Sequence, residues 1–289
     1  MSQTLILTEK EGWHYHQLKN SLLKQNITVI SACLSQVSIH IENNESIIYI
    51  NGKKMPHIDN VVVRFIPGGT LEEIVFFLNI LKILEAMGIK VINTANSIEG
   101  TVDKLYTSYL LNNNNIKTPA TYVMRNYEEA CRFIRDDSNN SAWIYKPLFG
   151  SQGDNIKLIK SYHDLDTFEN LSNIYYFQKY LENSISHDFR VLVIRKDEKI
   201  KYFYMTRYGS TFVNNFSKGA KCIKEDINQK VIDLAIKSSK LLNIDFCGVD
   251  IIEYKNNYYV IEVNSIPAWK GLQAVEGECI ADYIINYLF

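Results

Sequence analysis

Apolar residues fall along this chain in two periods, and stretches of the two alternate. Thr4 to Thr8 (TLILT) is a short unbroken apolar run, the pattern of a buried strand. Trp13 to Gln25 has the character of a helix, and Ile27 to Ile30 is a second strand. Ile39 to Ile50 alternates apolar and polar positions and ends near Asn51-Gly52, which predicts a hairpin. Val61 to Val63 is a third apolar strand, running into Arg64. Ile66-Pro67-Gly68-Gly69-Thr70 follows, and Thr70 with Glu73 forms a capping box. The next helix carries the stripe Ile74, Leu78, Leu81 and Leu84; Gly88 ends it, and Lys90 to Asn93 begins another strand. Strand, helix and strand at this spacing predict a small parallel α/β domain.

Beyond Ile98 the pattern changes. Thr101 to Leu111 and Glu128 to Arg135 predict helices, and Trp143 to Lys146 predicts a strand that stops at Pro147. A loop, Gly150-Ser151-Gln152-Gly153-Asp154-Asn155, leads to a returning strand at Ile156 to Ile159. Tyr175 to Leu181, Asp188 to Ile194 and Lys201 to Arg207 predict strands, and Asp188 and Arg190 share a face. Gln229 to Leu242 and Cys279 to Leu288 predict amphipathic helices.

Between those last two helices lies the stretch with most chemistry, Phe246 to Gln273. It predicts two strands around a tight turn. Centring the turn on Asn256 pairs Tyr254 with Tyr258, Ile252 with Val260 and Asp250 with Glu262, and on the other face pairs Val249 with Val263 and Ile251 with Ile261, which gives one apolar face. Glu262 and Asn264, two residues apart, share the other face. Facing carboxylates repel. A bound cation removes that penalty, and hard oxygen ligands of this kind suit magnesium completed by substrate phosphates. A merely solvated hairpin fits poorly, because arms this apolar need burial.

Two other features have chemical readings. A strand ending in a lysine and followed by a Gly/Ser loop can cradle phosphates, although it lacks the P-loop consensus. Arg64 lies at the carboxyl end of a parallel strand, where open α/β sheets place ligands; a surface arginine is the competing reading. The Pro-Gly-Gly loop precedes a helix N-terminus, where anions bind, but a turn before a cap explains it sufficiently.

Composition narrows the classes. The chain has 289 residues, 46% hydrophobic and 22% charged, with a net charge of -1, so nothing marks a general nucleic-acid binder. Cys33, Cys131, Cys222, Cys247 and Cys279 make no CxxC pair, which points to reduced thiols in a cytoplasm. The N-terminal apolar run is too short for secretion, and no segment is long enough to span a bilayer.

Six segments, in this order and spacing, resemble the ATP-grasp carboxylate–amine ligases, specifically the glutamate ligases related to the ribosomal-protein S6 modification enzyme. They are TVDK (Thr101–Lys104), KPLFGSQG (Lys146–Gly153), FQKYL (Phe177–Leu181), DFRVLV (Asp188–Val193), NNFSKGA (Asn214–Ala220) and GVDII with VIEVNSIPAWKGLQ. RFIPGGTLEEI and NSIPAWKGLQ look most like the tetrahydromethanopterin α-L-glutamate ligase branch.

The resemblance implies an α/β (α+β) ATP-grasp fold with a small parallel α/β domain before it. The implied units are 1–97, a central subdomain over 98–180 with the glycine loop, and a C-terminal subdomain over 181–289 with the metal ligands. It implies that Lys104 and Lys146 hold ATP phosphates beneath a loop of Gly150, Ser151, Gln152 and Gly153. Gln178, Lys179, Tyr180 and Leu181 would form the adenine hinge, and Asp188 would lie near the ribose. Asp250, Glu262 and Asn264 would hold two magnesium ions, or manganese in their place. Arg190, Arg207 and Asn215, with Lys218 in the same region, would face the γ-phosphate and an acyl-phosphate intermediate.

The implied partners are L-glutamate and a small carboxylate acceptor, with no nucleic acid and no membrane; many relatives self-associate, which allows a homo-oligomer. The alternatives are a ligase for a peptide or protein tail, a nucleotide-binding protein without catalysis, and an ATP-grasp kinase. Three positions depart from the family pattern: Asp154-Asn155 where a third glycine is usual, Lys179 where an acid is common, and Ala268 where many relatives have glycine. None removes a metal ligand or a phosphate lysine, so activity is expected to survive.

Overall fold

A parallel sheet opens the chain. Its strands are β1 (Gln3–Leu7), β2 (Thr28–Ala32), β6 (Asn60–Val63) and β7 (Lys90–Ile92), in the order β2-β1-β6-β7. The computed structural model describes residues 2–137, 141–148, 155–168, 170, 172–182, 186–209 and 219–289. Side chains alternate across a strand, and here both faces are apolar. Leu5, Leu7, Val61 and Val63 face α2 (Leu71–Ala86), whereas Ile6, Val62 and Ile92 face α1 (Trp13–Lys24). Covering both faces is what a parallel sheet requires. The capping box at the start of α2 forms as expected, with Thr70 Oγ1 accepting from the Glu73 N–H and the Glu73 carboxylate accepting from the Thr70 N–H.

Between β2 and β6 three short strands pair antiparallel: β3 (Val37–Glu42), β4 (Glu45–Ile50) and β5 (Lys53–Lys54). The first turn is Asn43-Asn44, both at positive φ, and Asn51-Gly52 makes the second. The turn expected at Asn51-Gly52 is present, and a second at Asn43-Asn44 divides the Ile39 to Ile50 stretch, because asparagine also tolerates left-handed geometry.

The helix expected over Thr101 to Leu111 is divided. Residues Ala95–Val102 form α3 and Lys104–Asn113 form α4, with Asp103 between them. The Asp103 carboxylate accepts from the N–H groups of Leu105 and Tyr106, so it starts a new helix instead of continuing the old one. That places Lys104 at the first position of α4.

A second sheet, antiparallel, contains β8 (Thr121–Met124), β9 (Trp143–Lys146), β10 (Lys157–Ile159) and β11 (Tyr175–Lys179), in the order β10-β9-β11-β8. Helix α5 (Tyr127–Asp136) covers one of its faces through Ala130 and Cys131. The third sheet has the order β14-β13-β12-β15-β16, from β12 (His187–Lys196), β13 (Lys199–Tyr208), β14 (Lys221–Ile223), β15 (Phe246–Tyr254) and β16 (Asn257–Asn264). One face packs Val191, Val193, Val249 and Ile251 against α6 (Gln229–Leu241). The other packs Leu192, Ile194, Phe203 and Phe246 against α8 (Ile280–Leu288), after the short α7 (Lys270–Gln273). Each of these side chains contributes about 1.5–3 kcal/mol by leaving water. Ile6, Leu18 and Leu22 belong to that same cluster, so the first and third sheets share one core. Among the described residues no helix is long and apolar enough to cross a membrane.

The β15–β16 turn is Lys255-Asn256, both at positive φ, the geometry of a two-residue hairpin. It pairs Tyr254 with Asn257 and Ile251 with Val260, one residue out of the expected register. A bulge then absorbs Ile261, and Asp250 returns opposite Glu262, Val249 opposite Val263 and Gly248 opposite Asn264. The pairing expected for the two carboxylates is present, although it is reached through a different turn.

Candidate active site

Charge is concentrated on one face of the third sheet. Arg207 on β13 faces Asp188 on β12, Arg190 on β12 faces Asp250 on β15, and Asp250 faces Glu262 on β16. Asp188, Arg190, Arg207 and Asp250 are all buried. Arg207 Nε donates to Asp188 Oδ1 at 2.6 Å, and Arg190 Nη1 donates to Asp250 Oδ1 at 2.6 Å. Arg207 Nη2 lies 3.1 Å from the same Asp250 oxygen. The four groups sum to zero charge, which is how a protein can bury so many ions.

Burial opposes the charge on Arg207, yet Asp188 and Asp250 hold it protonated above its ordinary range. Asp250 likewise resists burial, because Arg190 and Arg207 keep its carboxyl below the usual value. Asp188 is pushed up to about 6 by burial and by Asp250, with Arg207 opposing. The two ends of the Asp188–Arg207 bond thus pull in different directions. The short charge-assisted bond that Arg207 Nε donates to Asp188 Oδ1 favours both being ionised at neutral pH.

A glycine makes room for this row. A Cβ on Gly248 would lie 3.0 Å from Arg190 Nε and 3.1 Å from Pro267 Cβ. Its absence lets the Arg190 side chain lie along the strand beside Pro267.

On the other side of Glu262 an open cleft separates α4, the second sheet and the β15–β16 hairpin; Lys104, Ser108, Lys146, Tyr176, Ile261 and Glu262 line it. Lys146 Nζ donates to Gln178 Oε1 at 2.7 Å and lies 3.5 Å from the Ile261 carbonyl, so the lysine joins the two sheets. Burial pushes it down to about 8, against the pull of Glu262. Lys104 Nζ donates to the Leu148 carbonyl, and burial lowers it too. Two cations held this close in a half-enclosed cleft favour an anion between them.

Not every residue expected at the site lies on this cleft. The Gln178 side chain is buried and engaged by Lys146. Lys179, Tyr180 and Leu181 continue from β11 beyond the cleft wall, and the N–H groups of Lys179 and Tyr180 donate to the Ala120 and Ala142 carbonyls. Gly150, Ser151, Gln152, Gly153, Asn214, Asn215 and Lys218 lie outside the described residues. Asn155 adopts φ 57, the left-handed geometry that asparagine tolerates.

Asp250, Glu262 and Asn264 offer only oxygen donors. Among the described residues no group of three His, Cys, Asp or Glu side chains is placed to hold a metal. Two carboxylates and one amide fit a hard divalent ion whose shell is completed by other oxygens, phosphate above all.

One functional residue was missed by reading the sequence. Asn93 is buried; its Nδ2 donates to the Phe246 and Ser265 carbonyls, and its Oδ1 accepts from the Asp245 and Phe246 N–H groups. Thr101 Oγ1 donates to Ser265 Oγ at 2.6 Å. Together they fasten both ends of the β15–β16 hairpin to the segment that leaves the first sheet. Nothing local marks Asn93 out, since its partners lie over 150 residues away.

Comparison with known proteins follows this geometry. Residues 101–288 match the RimK-like ATP-grasp domain, and residues 1–98 match the RimK PreATP-grasp domain. A tetrahydromethanopterin:alpha-L-glutamate ligase of Methanocaldococcus jannaschii is 32% identical over 220 residues, 73% of this chain and 74% of that protein. One of Methanococcus maripaludis is 27% identical over 289 residues, 97% of this chain and 96% of that protein. The crystal structure of a RimK domain ATP-grasp protein from Sphaerobacter thermophilus superposes with a TM-score of 0.73 at 13% identity, over 99% of each chain, which speaks to fold.

Proposed function

The chain belongs to the RimK-like ATP-grasp family and is a ligase that forms a carbon–nitrogen bond; from that premise we propose that it adds L-glutamate to a carboxylate of a pterin cofactor such as tetrahydromethanopterin, using ATP. The observation that carries this reading is the continuity of charge. The buried row Arg207–Asp188–Arg190–Asp250 runs into Glu262, and Glu262 lines the cleft that holds Lys104 and Lys146.

A carboxylate is a poor acyl donor, because oxide is a poor leaving group. In the first step an acceptor carboxylate oxygen attacks the γ-phosphorus of ATP, the bond to the β–γ bridging oxygen breaks, and ADP leaves. In the second the glutamate nitrogen attacks the acyl carbon, the carbon–oxygen bond to phosphate breaks, and the amine gives up a proton. Lys104 and Lys146 hold the ATP phosphates. Arg190 and Arg207, fixed by Asp250 and Asp188, supply positive charge where the phosphoryl group moves. The resemblance to the family assigns Asn215 and the loop from Gly150 to Gly153 to the same phosphates; they lie outside the described residues. Asp250, Glu262 and Asn264 would hold two magnesium ions, which neutralise phosphate charge when bound.

We take 1–97, 98–180 and 181–289 as the working units. We place the reaction in the cytoplasm, a reading supported by five free cysteines. An ADP-release assay over candidate acceptors, with glutamate present or omitted, tests the reaction. Glutamate-dependent ADP release with a product heavier by one glutamyl residue is the expected result. A phosphorylated product formed without glutamate would overturn it in favour of a kinase.

A further inference from the structure

Arg64 is not the surface arginine that its place in the sequence allows. It follows β6 at the carboxyl end of the first sheet and is half-buried. Its Nη2 donates to the Pro267 carbonyl at 2.8 Å, and its guanidinium lies 4.8 Å from the centre of the Trp269 ring. Those two contacts fix its plane. Its Nε and Nη1 are shielded from solvent and have no acceptor among the described residues. A donor left in that state is costly, and a charged one more so.

The surroundings make the deficit one of charge. Among the described residues no carboxylate pairs with Arg64, and burial pulls its pKa down to about 9 with no acid opposing. Its neighbours add positive charge. Lys270 is exposed one residue beyond Trp269. His14, whose Nε2 accepts from the Trp269 N–H at 3.0 Å, is pushed down to about 3 by burial, Arg64 and Lys270, so it stays neutral. The Trp269 face compensates part of the arginine charge. It leaves the edge of the guanidinium without an acceptor.

Position ties this deficit to the reaction. Pro267, which accepts from Arg64, is the residue that packs over Gly248 beside Arg190. Arg64 is thus one residue removed from the buried charged row, on the same face of the third sheet as Phe246 and Trp269.

We propose that Arg64, with Lys270 at its margin, is a specificity-determining subsite for a substrate carboxylate. The inference rests on the ligase reading of the neighbouring charged row, which Arg64 reaches through Pro267, since both the amino-acid donor and the acceptor carry carboxylates. A planar guanidinium matches a carboxylate better than a lysine does, because its N–H groups are preset in one plane.

The test uses the full chain in two arms. The first titrates glutarate, with glutaramide as the neutral control, and follows tryptophan emission, since Trp269 stacks on Arg64. Glutarate should give a saturable change in the wild type, glutaramide none. Arg64→Gln should weaken the glutarate midpoint at least ~10-fold, Arg64→Lys should recover part of the loss, and Lys270→Gln, on an exposed side chain, should weaken it ~3-fold. Equal midpoints in wild type and Arg64→Gln, or no saturable change in the wild type, overturn the proposal.

The second arm measures KM for glutamate, acceptor and ATP separately. A rise for glutamate assigns the subsite to the donor, and a rise for the acceptor assigns it to the acceptor; either supports the proposal. A parallel rise in KM for ATP, or no change for either carboxylate substrate, marks Arg64 as a strut and overturns it. If no glutamyl product forms with any acceptor, the ligase reading fails while the glutarate titration still decides Arg64.

Discussion

Two groups of cations stand side by side in this protein, one buried and one half-buried along a cleft, and they are compensated in different ways. Arg190 and Arg207 are matched by Asp250 and Asp188 at hydrogen-bonding distance, so their charge is closed within the protein. Among the described contacts Lys104 Nζ donates to the Leu148 carbonyl and Lys146 Nζ to Gln178 Oε1, and Glu262 attracts both lysines across the cleft. The first group is a framework that holds its geometry before any ligand arrives. The second is a receptor whose charge is completed by an anion. Preorganised charge of the first kind is what phosphoryl transfer needs, because it costs no rearrangement during the reaction.

The sharpest way to break this contrast is to remove a compensating anion from the first group and a cation from the second. Asp250→Asn leaves Arg190 and Arg207 short of an anion in the core, so denaturant unfolding should show a loss of about 3–5 kcal/mol together with loss of activity. Lys146→Met should do the reverse. Nucleotide affinity should fall roughly 100-fold, about 2.7 kcal/mol, in a calorimetric titration. Stability without nucleotide should hold or rise, because a buried cation is gone. If both substitutions destabilise the free protein equally, the distinction between framework and receptor is wrong.

A packing change tests the framework more gently. Gly248→Ala sets a Cβ against Arg190 Nε and Pro267 Cβ. Overpacking of this kind costs about 1–3 kcal/mol. Turnover should fall more than nucleotide affinity, since the displaced groups lie on the arginine side of Glu262.

The pH dependence is a smaller effect with a defined sign. Lys146 is pushed from 10.5 down to about 8 in the folded protein. Between those values the unfolded chain holds more protons, so this residue's contribution to stability rises with pH across that window. Nucleotide affinity should fall as pH rises through about 8, because phosphate binding needs the ammonium form. Melting and titration series on wild type and Lys146→Met should show both trends in the former and neither in the latter. The smallest expected effect is local: Thr70→Ala removes the α2 cap and should cost about 1 kcal/mol without changing nucleotide affinity.

The same contrast explains what could be read from the sequence. Interactions near in sequence or carried by periodicity were legible. The two-faced strands of the first sheet, the Thr70–Glu73 box and the pairing of Asp250 with Glu262 are of this kind. Even there the hairpin was reached by compensating features: the turn is Lys255-Asn256, and the Ile261 bulge restores the register. Asp103 was read as part of a helix because its side chain's capping role depends on a local φ/ψ choice that periodicity does not express.

The long-range polar contacts were not legible. Asn93 clasping Phe246 and Ser265, Arg64 reaching Pro267, and Gln178 engaged by Lys146 depend on how sheets stack. Side-chain bonds between residues 32 to 203 positions apart leave no local pattern to read.

The most direct test of the central claim follows the glutamate itself. Extract containing pterin cofactors is incubated with the protein, ATP, magnesium and isotopically labelled L-glutamate, and products are resolved by mass spectrometry. The account predicts label in a small pterin product, heavier by one glutamyl residue, formed only when ATP is present. Label entering only protein would contradict the pterin assignment.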